Sequence, residues 1–253
     1  MNFFNSISVE YENLDDYCAL SDWLTKNKVV VVSPTNFPEN DLPGFYLQLA
    51  SHLGTVYLAE ETADTEAFLL NKWHQIRYIP GQEAKSYKHS NRAQPLHTDF
   101  CALPIKPEIS FFYCMQQATF GGSTVFMDNN RLVEILRVFN PNLLRQILTT
   151  EVTFRTDIGQ NVTSRLIEQD QHVYRINWNY YRLVNEDETV KAITEDFHFF
   201  LEEHIFKSGM LKAVNLKAGE AVFFHDNLVL HGRNSFLGDR WLNKGVLQLN
   251  KES

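Results

Sequence analysis

The chain has 253 residues, 44% of them hydrophobic and 21% charged, which is enough for one domain with a sizeable core. Its 31 acidic against 23 basic residues leave a net charge of −8, which argues against a surface built to grip nucleic acid. No apolar run approaches the roughly 18 residues of a membrane span, and the opening MNFFNSISVEYENLDD has neither the basic leader nor the apolar core of a secretory signal.

In chain order, Leu14, Tyr17, Cys18, Leu20, Trp23 and Leu24 recur at helical spacing and predict a helix from Leu14 to Leu24. Lys28 to Val32 reads as a buried strand closed by Ser33-Pro34. A second helix is expected from Pro43 through Leu53, with proline near its start and Gly54 just past its end. Ala59 to Glu66, with four acidic residues and two threonines, reads as a solvated loop. The opening third is thus expected to be helices framing one strand. From about Trp73 the pattern turns to short runs rich in β-branched and aromatic residues: Ile109 to Met115, Ser123 to Met127, Glu151 to Arg155, His172 to Trp178, Ala221 to Phe224, Leu228 to His231 and Gly245 to Leu249. Two helical patches interrupt them, Asn130 to Leu148, broken at Pro141, and Asp187 to Phe206. The expected class is a β-rich α+β fold, a sandwich or jelly roll with helices packed outside it. Cys18, Cys101 and Cys114 form no CxxC and cannot all pair, which points to a reducing cytoplasm.

The most informative stretch is Gln94-Pro95-Leu96-His97-Thr98-Asp99-Phe100. On a strand, positions i and i+2 share a face, so His97 and Asp99 could offer an imidazole nitrogen and a carboxylate oxygen to one ion. The dipeptide pattern alone reads more readily as a surface histidine near a turn. Context comes 134 residues later, where His231 ends an apolar strand in the run from Ala218 to Arg233, and Arg240 follows nine residues on. Two histidines and one carboxylate on one side of a metal form the facial triad of non-haem Fe(II) oxygenases. Three coordination positions stay open for a bidentate 2-oxo acid and O2, and a guanidinium nearby can hold a distant carboxylate in a fork. Gly121-Gly122-Ser123-Thr124-Val125-Phe126 adds a tight turn and a hydroxyl donor, although by itself it is an ordinary hairpin sequence.

The succession PLHTDF, GGSTVF and AGEAVFFHDN…LHGRNSF…GDRWLNK resembles the TauD/TfdA (taurine dioxygenase-like, clavaminate-synthase-like) family of Fe(II)- and 2-oxoglutarate-dependent oxygenases, with motifs spanning positions 95 to 244. The resemblance implies a double-stranded β-helix (jelly roll, cupin-like) with flanking helices, forming one dioxygenase domain over residues 1–253. It places Fe(II) on His97, Asp99 and His231, and the far carboxylate and body of 2-oxoglutarate on Arg240 and Thr124. Lys244, four residues after Arg240, and Arg182, in the stretch Arg175 to Arg182, become candidates for an anionic group of the substrate; a solvated lysine and a surface salt bridge are the competing readings. His225 is the rival distal ligand and Arg233 the rival clamp, and the HGR run followed by an arginine favours His231. Two departures from the family are a His231 one residue closer to Asp226-Asn227 than in many relatives, and a shorter His231-to-Arg240 loop. Because a carboxylate, not Gly or Ala, stands at Asp99, the resemblance implies a hydroxylase-type enzyme and not a halogenase.

The implied reaction consumes O2 and 2-oxoglutarate, releases succinate and CO2, and oxidises an unactivated C–H of a small molecule, an amino acid or small acid. Desaturation or ring closure by the same oxidant, and a non-redox metal-binding jelly roll, are the alternatives. No nucleic-acid or membrane partner is expected, and the sequence leaves monomer against homo-oligomer open. Cys101 could share the face of His97 and Asp99 but reads more readily as packing.

Overall fold

A computed structural model describes residues 1–37, 39–57, 73–81, 87–103, 106–156, 159–184 and 186–250. The solvated loop expected at Ala59 to Glu66 lies outside the described residues.

The long apolar strands are buried on both faces, and alternation sorts their side chains between two cores. The large sheet runs in the order β1 (Asn2–Glu10), β2 (Asn27–Thr35), β14 (Ala221–His225), β6 (Ile109–Gln116), β17 (Trp241–Leu249) and β3 (Gly54–Tyr57), with β4 (His74–Arg77) also paired to β17. Only β1 and β2 are parallel in it. Val30, Val32, Phe111, Tyr113, Ala221 and Phe223 point to one side, under the helices α1 (Leu14–Lys26) and α2 (Leu42–Leu53). Val29, Phe112, Cys114, Val222 and Phe224 point to the other, where they meet Phe126, Val214 and Val229 of a second sheet. This sheet is antiparallel, in the order β13 (Lys212–Val214), β8 (Thr124–Asp128), β15 (Val229–Arg233) and β5 (Gln94–His97). Its outer face, Leu96, Val125, Met127 and Leu230, packs on α3 (Asn129–Phe139), α4 (Pro141–Thr149) and α5 (Glu188–Phe200). Two facing sheets with helices outside each make the β-rich α+β architecture expected.

The helix break falls where proline demands it. Pro141 opens α4, where its missing N–H costs nothing, and Asn140 and Asp128 cap α4 and α3 through their side chains. The second helical patch leaves α-geometry after Phe200, continuing as a π-turn, Leu201–Ile205, and a 3-10 turn, Phe206–Ser208.

The opening third differs from the expectation. Asn2–Glu10 is a strand, and β2 runs on through Ser33-Pro34 to Thr35. As an edge strand β1 keeps much of its side-chain surface exposed, so NFFNSISVE carries only a diluted apolar signal. Small antiparallel pairs complete the described fold: β7 (Phe120–Gly121) with β16 (Phe236–Leu237), β9 (Glu151–Arg155) with β10 (Asn161–Arg165), and β11 (Ile167–Asp170) with β12 (Val173–Ile176). No helix among the described residues is long and apolar enough to cross a membrane.

Candidate active site

Antiparallel pairing of β15 on β5 sets His231 directly opposite His97, with ring centroids 4.2 Å apart. Alternation turns Leu230 out to the helices and His231 in between the sheets, against Phe224 and Phe112. His231 thus lies at the centre of its strand, not at its end as the sequence suggested. Asp99 also arrives by another route than strand alternation: β5 stops at His97, and Asp99 sits in the bend beyond it. That bend is held by Thr98 N donating to the Trp178 carbonyl at 2.7 Å, and by the Asp226 carboxylate accepting from Asp99 N at 3.0 Å and Phe100 N at 3.2 Å.

The result is a cluster in which one donor atom each from His97, Asp99 and His231 lies within 4.8 Å of the others. His97 Nε2 is 3.7 Å from Asp99 Oδ1, and His231 Nε2 is 3.5 Å from Asp99 Oδ2. His97 Nδ1 turns away to the Pro95 carbonyl at 2.9 Å, so Nε2 is its metal-facing atom. Two imidazole nitrogens and one carboxylate oxygen on one side of a cleft are the donor set of a facial-triad iron site. Burial works against the Asp99 carboxylate, but Lys244, His231 and His97 outweigh it and hold the group well below the ordinary carboxylate range. Lys244 Nζ lies 2.8 Å from Asp99 Oδ2. Burial, then the neighbouring His97, pushes His231 down to about 3, which leaves the imidazole neutral at physiological pH and its nitrogen available to a metal.

Thr124 opens β8 directly after the glycine turn. Gly121 and Gly122 have φ of +73° and +76°, and a Cβ there would sit 2.2 Å from the Ser235 carbonyl oxygen and 3.0 Å from Arg240 Cδ. Glycine is therefore what lets Arg240 lie flat beside the turn. Arg240 is 6% exposed, and its Nη2 donates to Thr124 Oγ1 at 3.4 Å. Among the described residues no carboxylate lies within ion-pair distance of it, and burial, followed by Arg233, draws it down to about 9. A buried cation of this kind fits one end of a dicarboxylate.

The rival candidates are employed elsewhere. Arg233 donates through Nη2 to the carbonyls of Tyr87, Ser90 and Arg92, tying the segment before β5 to β15. His225 bonds the Leu24 carbonyl through Nε2 at 2.8 Å and is not in the metal-binding cluster. Cys101 is buried in the helix-side core, and burial lifts its thiol to about 12. The triad, Thr124, Arg240 and Lys244 line one cleft of about 340 Å³, and Arg182 lies on its wall, with Nη1 3.5 Å from the Arg155 carbonyl.

Sequence reasoning gave no role to four residues here. Asp226 braces the bend that carries Asp99. His74, opposite Lys244 on β4, is pushed down to about 4 by burial and then by Lys244. Tyr87 and Tyr181 share a hydroxyl hydrogen bond of 2.7 Å on the cleft wall. Only Asp226 carried a signal, its place in the HDN run five residues before His231.

Residues 5–245 match the family described as "Taurine catabolism dioxygenase TauD, TfdA family". The chain belongs to this family. Gamma-butyrobetaine dioxygenase of Pseudomonas sp. (strain AK-1) is 34% identical over 61 residues, a match spanning 24% of this chain and 16% of that protein. Among solved structures, asparagine oxygenase in complex with Fe(II), 2S,3S-3-hydroxyasparagine and succinate superposes with a TM-score of 0.70 at 13% identity, covering 93% of this chain and 78% of that one. The non-heme iron oxygenase OrfP, in complex with Fe and alpha-ketoglutaric acid, gives 0.66 at 16% identity, with 92% and 80% covered. A taurine dioxygenase from Burkholderia xenovorans gives 0.62 at 15%, with 96% and 88% covered. At such identities the likeness is one of fold. The family is one of dioxygenases, and the donor set and the buried Arg240 fit Fe(II) and 2-oxoglutarate.

Proposed function

We propose that residues 1–253 form a single Fe(II)- and 2-oxoglutarate-dependent dioxygenase domain, a double-stranded β-helix with flanking helices, that hydroxylates an unactivated C–H of a small acid or amino acid and releases succinate and CO2. The observation that carries this reading is the convergence of His97, Asp99 and His231 in the same cleft as Arg240, a buried cation that, among the described residues, hydrogen-bonds the Thr124 hydroxyl and pairs with no carboxylate.

His97, Asp99 and His231 would hold the metal, leaving three positions open on the cleft side. The iron, when bound, supplies the O2-dependent oxidative decarboxylation of 2-oxoglutarate and the oxidation of the C–H bond. The chain's own share is positioning. Arg240 offers a planar fork to the distal carboxylate, and Thr124 adds a hydroxyl beside it. Phe112 and Leu242 keep that end of the cleft apolar. We assign Lys244 and Arg182 to the substrate side, Lys244 because its ammonium reaches the metal-facing carboxylate of Asp99. A small anion therefore suits the site better than nucleic acid or a membrane surface. Three free cysteines agree with work in a reducing cytoplasm.

The test is an anaerobic titration of the purified protein with Fe(II) and then 2-oxoglutarate, followed by visible absorption. A charge-transfer band that needs both additions is expected, and an O2-dependent screen of amino acids and small acids for succinate release would follow. Folded, iron-loaded protein that gives no band would overturn the oxygenase reading.

A further inference from the structure

His231 presents Nε2 to Asp99, so a metal taken there leaves the proton on Nδ1. That Nδ1 is buried and makes no hydrogen bond. Its surroundings are largely aromatic, with the Phe224, Phe112 and Phe126 rings 4.8, 5.9 and 6.5 Å from the imidazole. A buried N–H left without an acceptor costs about 1–3 kcal/mol. An acceptor within reach is Asp226 Oδ1, 3.6 Å from Nδ1 and just beyond hydrogen-bond length. The same carboxylate accepts from Asp99 N and Phe100 N. Asp226 is 2% exposed and sits between β14 and β15, where it reaches both segments that carry the cluster.

We propose that Asp226 is a positioning residue of the metal centre: its carboxylate accepts a hydrogen bond from His231 Nδ1–H, which fixes that ring's tautomer and orientation, and it clamps the backbone that presents Asp99. The inference rests on the function proposed above. It differs from a packing role in what it predicts. Carboxylate partners behind metal-bound histidines change metal affinity by about 10–100-fold, whereas a residue that only supports the fold would lower stability and leave the metal's ligands unchanged.

The test uses Co(II) as a stable stand-in for Fe(II), with wild type, Asp226→Asn and Asp226→Ala. Affinity is read by calorimetry, fold by circular dichroism and melting temperature, and ligand geometry by proton NMR of the cobalt-loaded protein. Wild type should show two paramagnetically shifted, exchangeable imidazole N–H signals, one per histidine. In Asp226→Ala the His231 signal should vanish into solvent exchange while that of His97, bonded to the Pro95 carbonyl, persists. Co(II) affinity should fall about 10–100-fold. Asp226→Asn keeps one acceptor oxygen and should fall between the two, and it carries the test alone if Asp226→Ala does not fold. Both signals intact with unchanged affinity in folded variants would overturn the inference and leave the proposed function standing. A folded wild type whose Co(II) binding is absent, or survives His97→Ala, would overturn the proposed function and this inference with it.

Discussion

Replacing Arg240 by Met should raise the stability of the ligand-free protein while abolishing its stabilisation by 2-oxoglutarate. Burial draws the guanidinium well below its ordinary range, to about 9. A base with a lowered folded pKa costs stability at every pH below about 9, and the cost fades as pH climbs from there towards the ordinary guanidinium range. At about 1.4 kcal/mol per unit the cost at neutral pH is roughly 5 kcal/mol at most, less whatever water relieves. On the proposed function, a carboxylate seated on Arg240 would offset it. With 2-oxoglutarate at about 100 times its dissociation constant the wild type gains about 2.7 kcal/mol, or roughly 5–10 °C for a chain of this size. Loss of a buried charge pair should weaken binding by about 3 kcal/mol or more, a factor of at least about 100. At the same concentration the variant then gains under about 0.4 kcal/mol, roughly 1 °C. Differential scanning fluorimetry at pH 7.5, with and without 2-oxoglutarate and a divalent metal, reads both effects. A variant that melts several degrees lower without ligand, and still gains the full shift with it, would refute the reasoning, because Arg240 would then be a structural cation and the carboxylate would bind elsewhere.

Gly122→Ala should act on the same end of the site. Its φ of +76° and a Cβ 3.0 Å from Arg240 Cδ predict a loss of about 1–3 kcal/mol and a weaker 2-oxoglutarate shift in the same melting assay; an unchanged shift would mean that Arg240 moves aside without consequence. His225→Gln should leave metal binding intact, since His225 bonds the Leu24 carbonyl, and should cost about 1 kcal/mol in urea unfolding; loss of Co(II) binding there would reassign the distal ligand. Cys101, with its thiol lifted to about 12, should resist iodoacetamide in the folded protein at pH 8 while the exposed Cys18 is alkylated, as mass spectrometry of the digests would show; equal labelling would contradict the burial.

The parts of the fold visible in the sequence were those where one physical signal dominates. The break between α3 and α4 sits at Pro141, and the β6 and β14 strands announced themselves as unbroken apolar runs because both of their faces are buried. The edge strand β1 and the four-residue β3 and β4 gave no such signal, since their place depends on partners far along the chain. The triad was legible through residue types and order, but its geometry was not. Cross-strand pairing of His231 with His97, and a bend at Asp99 held by Asp226, are contacts over more than 120 positions, and no local pattern encodes them.

The net charge of −8 described the surface and left the ligand's charge unstated. Among the described residues the cleft is lined by Lys88, Arg182, Arg233, Arg240 and Lys244 against a single carboxylate, Asp99. These cations differ in their employment. Arg233 is committed to three backbone carbonyls and Lys244 to Asp99, whereas Arg240 meets one hydroxyl at 3.4 Å and no acid. A cationic cleft focuses small anions even where the protein as a whole is acidic. Within that field Arg240 is a buried cation with no acid in ion-pair distance among the described residues. On the proposed function, Arg240 would be the anchor for the cosubstrate's carboxylate, because burial leaves its charge without a paired acid among the described residues.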